Sequence, residues 1–290
     1  MHTRNRHQGR YDFANLTASS PELAAFVVTT PRGEPSIDFA DPAAVATLNR
    51  ALLKSFYGVA HWEIPPGYLC PPVPGRADSI HRIAELLRAK DGSYPRGANV
   101  RLLDVGVGAN CIYPIIGHAE YGWTFVGCDV DPVALESAQK IVDANPNLKG
   151  AIELRLQTSS EKILSGIIRD GEMFQATICN PPFHASLAEA EAASRRKWEN
   201  LGRRADSGRN FGGQGGELWY PGGEAVFVRR MIEESARFKT GVRWFTALIS
   251  KEESLPILQS AMRKAGVTDR RTMAMEQGQK KSRLVAWTFQ

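Results

Sequence analysis

The residues best equipped for chemistry are Asn180, Pro181, Pro182 and Phe183, a tetrapeptide that directly follows the apolar run Phe174 to Cys179. An amino group conjugated to a ring or a carbonyl is a poor nucleophile because its lone pair is delocalised. The Asn180 side-chain oxygen and the Pro181 carbonyl can accept its two hydrogens, pull the nitrogen toward tetrahedral geometry and aim the lone pair at a methyl group. Pro182 stiffens the turn that presets both acceptors, and Phe183 offers an aromatic face on which a planar base can stack. Such a site needs neither a proton-abstracting residue nor a metal. A second cluster is Asp104-Val105-Gly106-Val107-Gly108-Ala109-Asn110, where glycines let the backbone turn tightly and approach a ligand with no Cβ in the way. Asp129 follows at the spacing, about twenty residues, at which a carboxylate accepts hydrogen bonds from both hydroxyls of a ribose. An adenosine-containing cofactor is implied. Its expected contacts are Asp104, Gly106, Gly108, Asn110 and Asp129, with Gln157 after the next apolar run and Asn180 itself. Nicotinamide-dependent enzymes share the glycine turn and the acid, but they need a proton donor and give no reason for N-P-P-F.

Other residues carry weaker signals. Arg76 closes a proline-rich stretch and could hold a cofactor carboxylate with its forked guanidinium, although a lone arginine is more often a solvated surface group. Six histidines are scattered without metal-ligand spacing, and His184 reads as a wall residue rather than a base. Cys70, Cys111, Cys128 and Cys179 stand singly, so neither a zinc site nor a disulfide framework is expected. The segment Gly208 to Gly223 holds seven glycines interleaved with Phe211, Trp219 and Tyr220, a composition suited to a loop that closes over a base. Charge points the same way. Lys and Arg number 36 against 31 Asp and Glu, for a net charge of +5. Arg4, Arg6 and Arg10 lie in an opening stretch without acids, and Arg195 to Arg209 holds six basic residues against Glu199 and Asp206. Both segments are candidates for phosphate contact.

Helix and strand signals alternate behind these residues. Apolar runs at Asn99 to Val105, Trp123 to Cys128, Ile152 to Leu156, Phe174 to Cys179 and Val242 to Ile249 predict strands. Helical spacing predicts helices over Asp41 to Phe56, from Ala77 onward, after Asp131 and Pro132, and over Glu161 to Arg169, Ala225 to Phe238 and Leu255 to Ala265. This order predicts a doubly wound α/β fold with a mostly parallel, Rossmann-like sheet. Val267 to Met275 and Leu284 to Phe289 have no helix between them, and predict a C-terminal antiparallel hairpin. A parallel sheet closed in this way is the arrangement of class I methyltransferases. Residues 1–76 read as an irregular, partly helical RNA-binding extension packed on a catalytic domain spanning 77–290. Tyr11 and Asp12 follow the basic start where an exported protein would have an apolar stretch, and no apolar run approaches the roughly 20 residues of a membrane helix. A cytosolic protein is expected.

Several stretches together resemble one family. Met1 to Arg6, Pro71 to Arg76, Asp104 to Pro114, Cys179 to His184, Asn210 to Gln214, Glu217 to Trp219 with Gly222 to Glu224, and Gly278 to Lys280 are similar to the bacterial 23S ribosomal RNA adenine N6-methyltransferases. The likeness runs from the first residue nearly to the last. The catalytic domain of the eukaryotic U6 small nuclear RNA methyltransferase is also similar, through its basic start and its N-P-P-F block. The resemblance implies S-adenosylmethionine as donor and N6-methylation of adenine 1618 in 23S ribosomal RNA, free or in an assembling large-subunit particle. Arg76, Gly106, Gly108 and Asp129 would contact the cofactor, and Asn180 to Phe183 would hold the adenine. Asp129 stands where the eukaryotic relative has a glutamate, which leaves the ribose contact plausible in chemistry but altered in reach. Two alternatives remain: a protein glutamine N-methyltransferase, since an amide nitrogen suits the same acceptors, and an inactive RNA-binding ribosome assembly factor.

Overall fold

The computed structural model describes residues 1–189, 192, 215–277 and 280–290. After a short helix α1 (Phe13–Ser19), a 3-10 turn and a small hairpin of β1 (Val27–Thr29) and β2 (Pro35–Ile37) come α2 (Pro42–Tyr57) and α3 (Val73–Leu86). The sheet domain then runs β3 (Arg101–Val105), α4 (Ile112–Tyr121), β4 (Thr124–Asp129), α5 (Pro132–Ala144), β5 (Ile152–Leu156) and β6 (Phe174–Cys179). It closes with α6 (Gly215–Leu218), α7 (Gly223–Ser235), β7 (Val242–Ile249), α8 (Ser254–Ala265), β8 (Asp269–Gln277) and β9 (Lys280–Thr288).

Seven strands form one sheet in the order β5-β4-β3-β6-β7-β9-β8. The pairs from β5 to β7 are parallel, whereas β9 runs antiparallel to both β7 and β8. The fold is the α/β class I methyltransferase arrangement with its C-terminal hairpin. Asp41 and Asp131 cap α2 and α5 by accepting from Ala43 N and Val133 N, each followed by a proline in the first helical turn. The α5 face Ala134, Ala138, Ile141 and Val142 is buried, as its spacing requires.

Two apolar layers sandwich the sheet. One, under α7 and α8, gathers Val228, Met231, Phe245, Leu258 and Trp287. The other joins the sheet's Leu102, Ala176 and Ile178 to Leu23, Leu53, Trp62 and Val73 from the first 75 residues. Leu53 and Trp62 are almost wholly buried, and each such side chain contributes about 1.5–3 kcal/mol relative to exposure. The N-terminal segment therefore shares the sheet's core, and α3 runs unbroken across residues 76 and 77.

The helix predicted over Glu161 to Arg169 is absent. Glu234, on α7, accepts hydrogen bonds from the backbone nitrogens of Ile163, Leu164 and Ser165, which wraps this stretch around a carboxylate, and Gly166 then takes φ +90°. Tertiary capture outweighs a weak local helix signal.

Candidate active site

Strand β3 ends at Val105, and Gly106 and Gly108 adopt φ of +79° and +63°, values that an L side chain rarely takes. Gly106 N and Val107 N both donate to Cys128 O at 2.9 Å, which ties the turn to the end of β4. Gly108 N donates to Asp129 Oδ2 at 2.9 Å, and Asp131 N donates to Oδ1 at 3.1 Å. Among the described residues, a Cβ added at Gly106 would meet nothing within 4 Å. The turn thus faces open space. Burial pushes the Asp129 carboxyl up, while its backbone donors pull it down. Asp104 is fully buried, and among the described residues neither of its oxygens has a hydrogen-bond partner. Burial and the Asp129 charge hold its carboxyl well above the usual range, against the pull of Arg76.

The open space is a cavity of about 700 Å³ bordered by Gly106, Gly108 and Asp129 on one side and by Arg76, Asn180 and Pro182 on the other. Asn110 and Gln157 also border it, as braces. Asn110 Oδ1 accepts from Ile112 N at 3.1 Å and its Nδ2 donates to Leu69 O at 3.3 Å. Gln157 donates to Ser165 O and accepts from Ser159 N, which holds the 159–165 stretch as a wall. Asp104 sits behind that lining, not on it.

The Asn180 side of the cavity is organised by one cation. Arg76 Nη1 donates to Asn180 Oδ1 at 2.9 Å and to the Tyr113 hydroxyl at 2.8 Å, with the guanidinium carbon 5.3 Å from the Tyr113 ring centroid. Pro181 and Pro182 are buried, and Phe183 and His184 half-buried. His184 N donates to Leu218 O and Tyr220 N to His184 O, each at 3.0 Å, so residues 218–220 lie beside the chain that follows N-P-P-F. The His184 ring lies 3.7 Å from Glu189. Trp219 and Tyr220 border the cavity. The basic run Arg195 to Arg209, the glycines 208 to 213 and the 278–279 turn lie outside the described residues.

Sequence reasoning gave no role to Tyr113, Glu217 or Arg230. Glu217 Oε2 accepts from Leu69 N at 3.1 Å, and its Oε1 lies 3.2 Å from where a Cβ on Gly108 would stand, so α6 is braced against the glycine turn. Arg230 donates to the Tyr220 hydroxyl at 2.7 Å. No spacing rule signals such contacts, which form between distant segments.

The N-terminal arginines already have partners within the protein. Arg6 Nε lies 2.9 Å from Glu120 Oε1, Arg10 pairs with Glu34, and Arg4 stacks 4.1 Å from the Tyr94 ring centroid. Around them, His2 N donates to Asp78, Asn5 Nδ2 donates to Pro74 O at 2.9 Å, and His7 Nε2 lies 2.7 Å from the Tyr57 hydroxyl. All four cysteines are free, and burial pushes the thiols of Cys111, Cys128 and Cys179 up, away from thiolate chemistry. Among the described residues no cluster of His, Cys, Asp and Glu could hold a metal, and no helix is long and apolar enough to cross a membrane.

A parallel sheet with a terminal hairpin, a glycine turn answered by an acid on the next strand, and N-P-P-F at the end of β6 define a class I methyltransferase. Over residues 1–290 the chain matches the family described as RNA methyltransferase, and it belongs to that family. It is 58% identical over 294 residues to the ribosomal RNA large subunit methyltransferase F of Ectopseudomonas mendocina (strain ymp), covering 100% of this chain and 88% of that protein. It is 55% identical to the protein of that name from Pseudomonas putida (strain GB-1), covering 93% of it. Among solved structures, the hMettl16 catalytic domain in complex with MAT2A 3'UTR hairpin 1 is similar with a TM-score of 0.84 and 32% identity, over 100% of this chain and 96% of that one. The N-terminal domain of human METTL16 in complex with SAH is similar with a TM-score of 0.79 and 29% identity, over 100% and 99%.

Proposed function

We propose that this RNA methyltransferase transfers a methyl group from S-adenosylmethionine to N6 of adenine 1618 in 23S ribosomal RNA, free or in an assembling large-subunit particle, in the cytoplasm. The observation that carries the reading is the Asn180 carboxamide held by Arg76 on a cavity whose other side is the glycine turn and Asp129. S-adenosylmethionine is the donor, and when bound it supplies an electrophilic methyl group on a sulfonium centre. The residues fit it. Asp129 suits the hydroxyls of a ribose as an acceptor, and Arg76 suits a carboxylate.

On the acceptor side, Asn180 Oδ1 retains a lone pair beyond the one facing Arg76. That lone pair and the Pro181 carbonyl take the two amine hydrogens, and Phe183 stacks on the base. The adenine nitrogen would take the methyl group as the donor's carbon–sulfur bond breaks to leave a neutral thioether, and would release one of its hydrogens as a proton to water. Preset acceptors of this kind raise the rate because they need no reorganisation as charge shifts. An amide nitrogen would fit the same pair, but membership of an RNA methyltransferase family favours a base. The exposed edges of Arg4, Arg6 and Arg10, with the 195–209 run, supply phosphate contacts whose affinity falls with salt.

Mass-spectrometric mapping of N6-methyladenine in ribosomal RNA from cells lacking the gene tests the assignment. Loss of the modification at that adenine alone is expected. N6-methyladenine persisting at that adenine in those cells would contradict it.

A further inference from the structure

We infer that Tyr113 is a positioning residue for methyl transfer, acting through Arg76 on the Asn180 carboxamide. The inference rests on the amine-acceptor role given to Asn180 above. Tyr113 is the second residue of α4 and directly follows the glycine turn, so the turn places its ring; α3 places Arg76 and the end of β6 places Asn180. The three side chains meet in one chain of contacts, buried at its Tyr113 end and half-buried at Asn180, with Arg76 Nη1 donating to the Tyr113 hydroxyl at 2.8 Å and to Asn180 Oδ1 at 2.9 Å. Both hydrogens of Nη1 are therefore engaged, which fixes the rotation of the guanidinium plane.

The geometry matters because a carboxamide has two chemically opposite ends. Turned by 180°, Asn180 would present its NH₂ to a guanidinium, which has no acceptor, and the same flip would present a donor to the adenine amine where an acceptor is needed. Arg76 thus selects the productive orientation, and Tyr113 keeps Arg76 in the place from which it selects. Without the phenol hydroxyl the guanidinium keeps its charge but loses one of the two bonds that set its plane. The carboxamide then samples both orientations, and the fraction of competent enzyme falls.

Tyr113→Phe retains the ring and the packing and removes one oxygen. Single-turnover transfer to ribosomal RNA with both substrates saturating is expected to slow about 10- to 100-fold, since hydrogen bonds to charged groups contribute about 1.5–3 kcal/mol, while cofactor affinity by calorimetry changes less than about threefold. The Asn180 side-chain amide resonances should shift and broaden in the cofactor-free variant, a readout independent of activity. Arg76→Lys supplies the second arm. In the double variant Tyr113→Phe should cost little further, because both act on one orientation. A folded Tyr113→Phe enzyme with wild-type single-turnover rate, or rate losses that multiply in the double variant, would overturn the inference. A wild-type enzyme that leaves no N6-methyladenine would instead remove the reading on which it rests.

Discussion

On the side of the cavity proposed for the cofactor, Gly108 and Asp129 meet across 21 residues of chain, while on the side proposed for the acceptor amine Arg76 and Asn180 meet across 104. The first side is made from two adjacent strand ends and backbone nitrogens, and β3 and β4 would bring it together in any copy of this sheet. The second exists only when α3, β6 and α4 have all docked. A site can therefore bind its cofactor through local geometry and still depend on the whole fold to aim its nucleophile. Substitutions should divide accordingly, some into affinity and others into rate.

Arg76→Ala is the strongest way to break the division, because Arg76 borders the cavity and also holds Asn180. Losing two charge-assisted hydrogen bonds at about 1.5–3 kcal/mol each is expected to lower kcat/KM by about 10²–10⁴-fold. Steady-state kinetics should show the loss in kcat and in the KM for cofactor together; a loss confined to that KM would place Arg76 on the cofactor side alone. Asp129→Ala tests the local side. It removes the acceptor for Gly108 N and Asp131 N along with any ribose contact, and cofactor affinity should weaken by about 1–3 kcal/mol, roughly 5- to 150-fold. Calorimetry measures it, and single-turnover rate at saturating cofactor should stay near that of the wild type. Unchanged affinity in a folded variant would put the ribose elsewhere.

A third region, the N-terminal clamp, should respond to pH and leave that division intact. Burial holds the His7 and His81 imidazoles down at about 4, from an ordinary value of 6.5. Both are neutral in the folded protein, whereas the unfolded chain takes up protons first as pH falls. Their contribution to stability is therefore complete above 6.5 and declines progressively from 6.5 toward 4. Melting temperature should fall over that window, and fall less steeply when both histidines are replaced by Asn. A flat profile from pH 7 to 5 would contradict the assignment of neutral, buried rings.

The glycine turn and its meeting with Asp129 were legible in the sequence, because glycines at a strand end and an acid on the next strand are local signals. Asp129 and the 106–108 turn lie as their spacing implied. The class of fold was readable for the same reason, from strands of alternating connection and a hairpin without an intervening helix. The acceptor side was legible only in part. N-P-P-F announced itself at the end of β6, but nothing about Tyr113 or Glu217 in the sequence tells which distant atom each will meet. Arg76 was singled out for a carboxylate, and its bond to Asn180 appears only once α3 is docked. The 161–169 stretch was misread as a helix because Glu234, some seventy residues away, captures its amides. The first ten residues suggested an RNA-binding arm by charge alone. His2, Asn5 and His7 are instead buried through contacts with Asp78, Pro74 and Tyr57, which charge counting does not reveal.

Single-turnover methyl transfer by Asn180→Ala, with cofactor saturating and cofactor affinity measured on the same preparation, addresses the acceptor mechanism most directly. The variant removes one of two preset acceptors and leaves the glycine turn and Asp129 untouched. Cofactor binding should remain close to wild type, and the rate should fall by about 10²–10³-fold, as when one preorganised hydrogen-bonding group is taken from an active site. A folded Asn180→Ala enzyme that binds cofactor and transfers methyl at near wild-type rate would contradict the account.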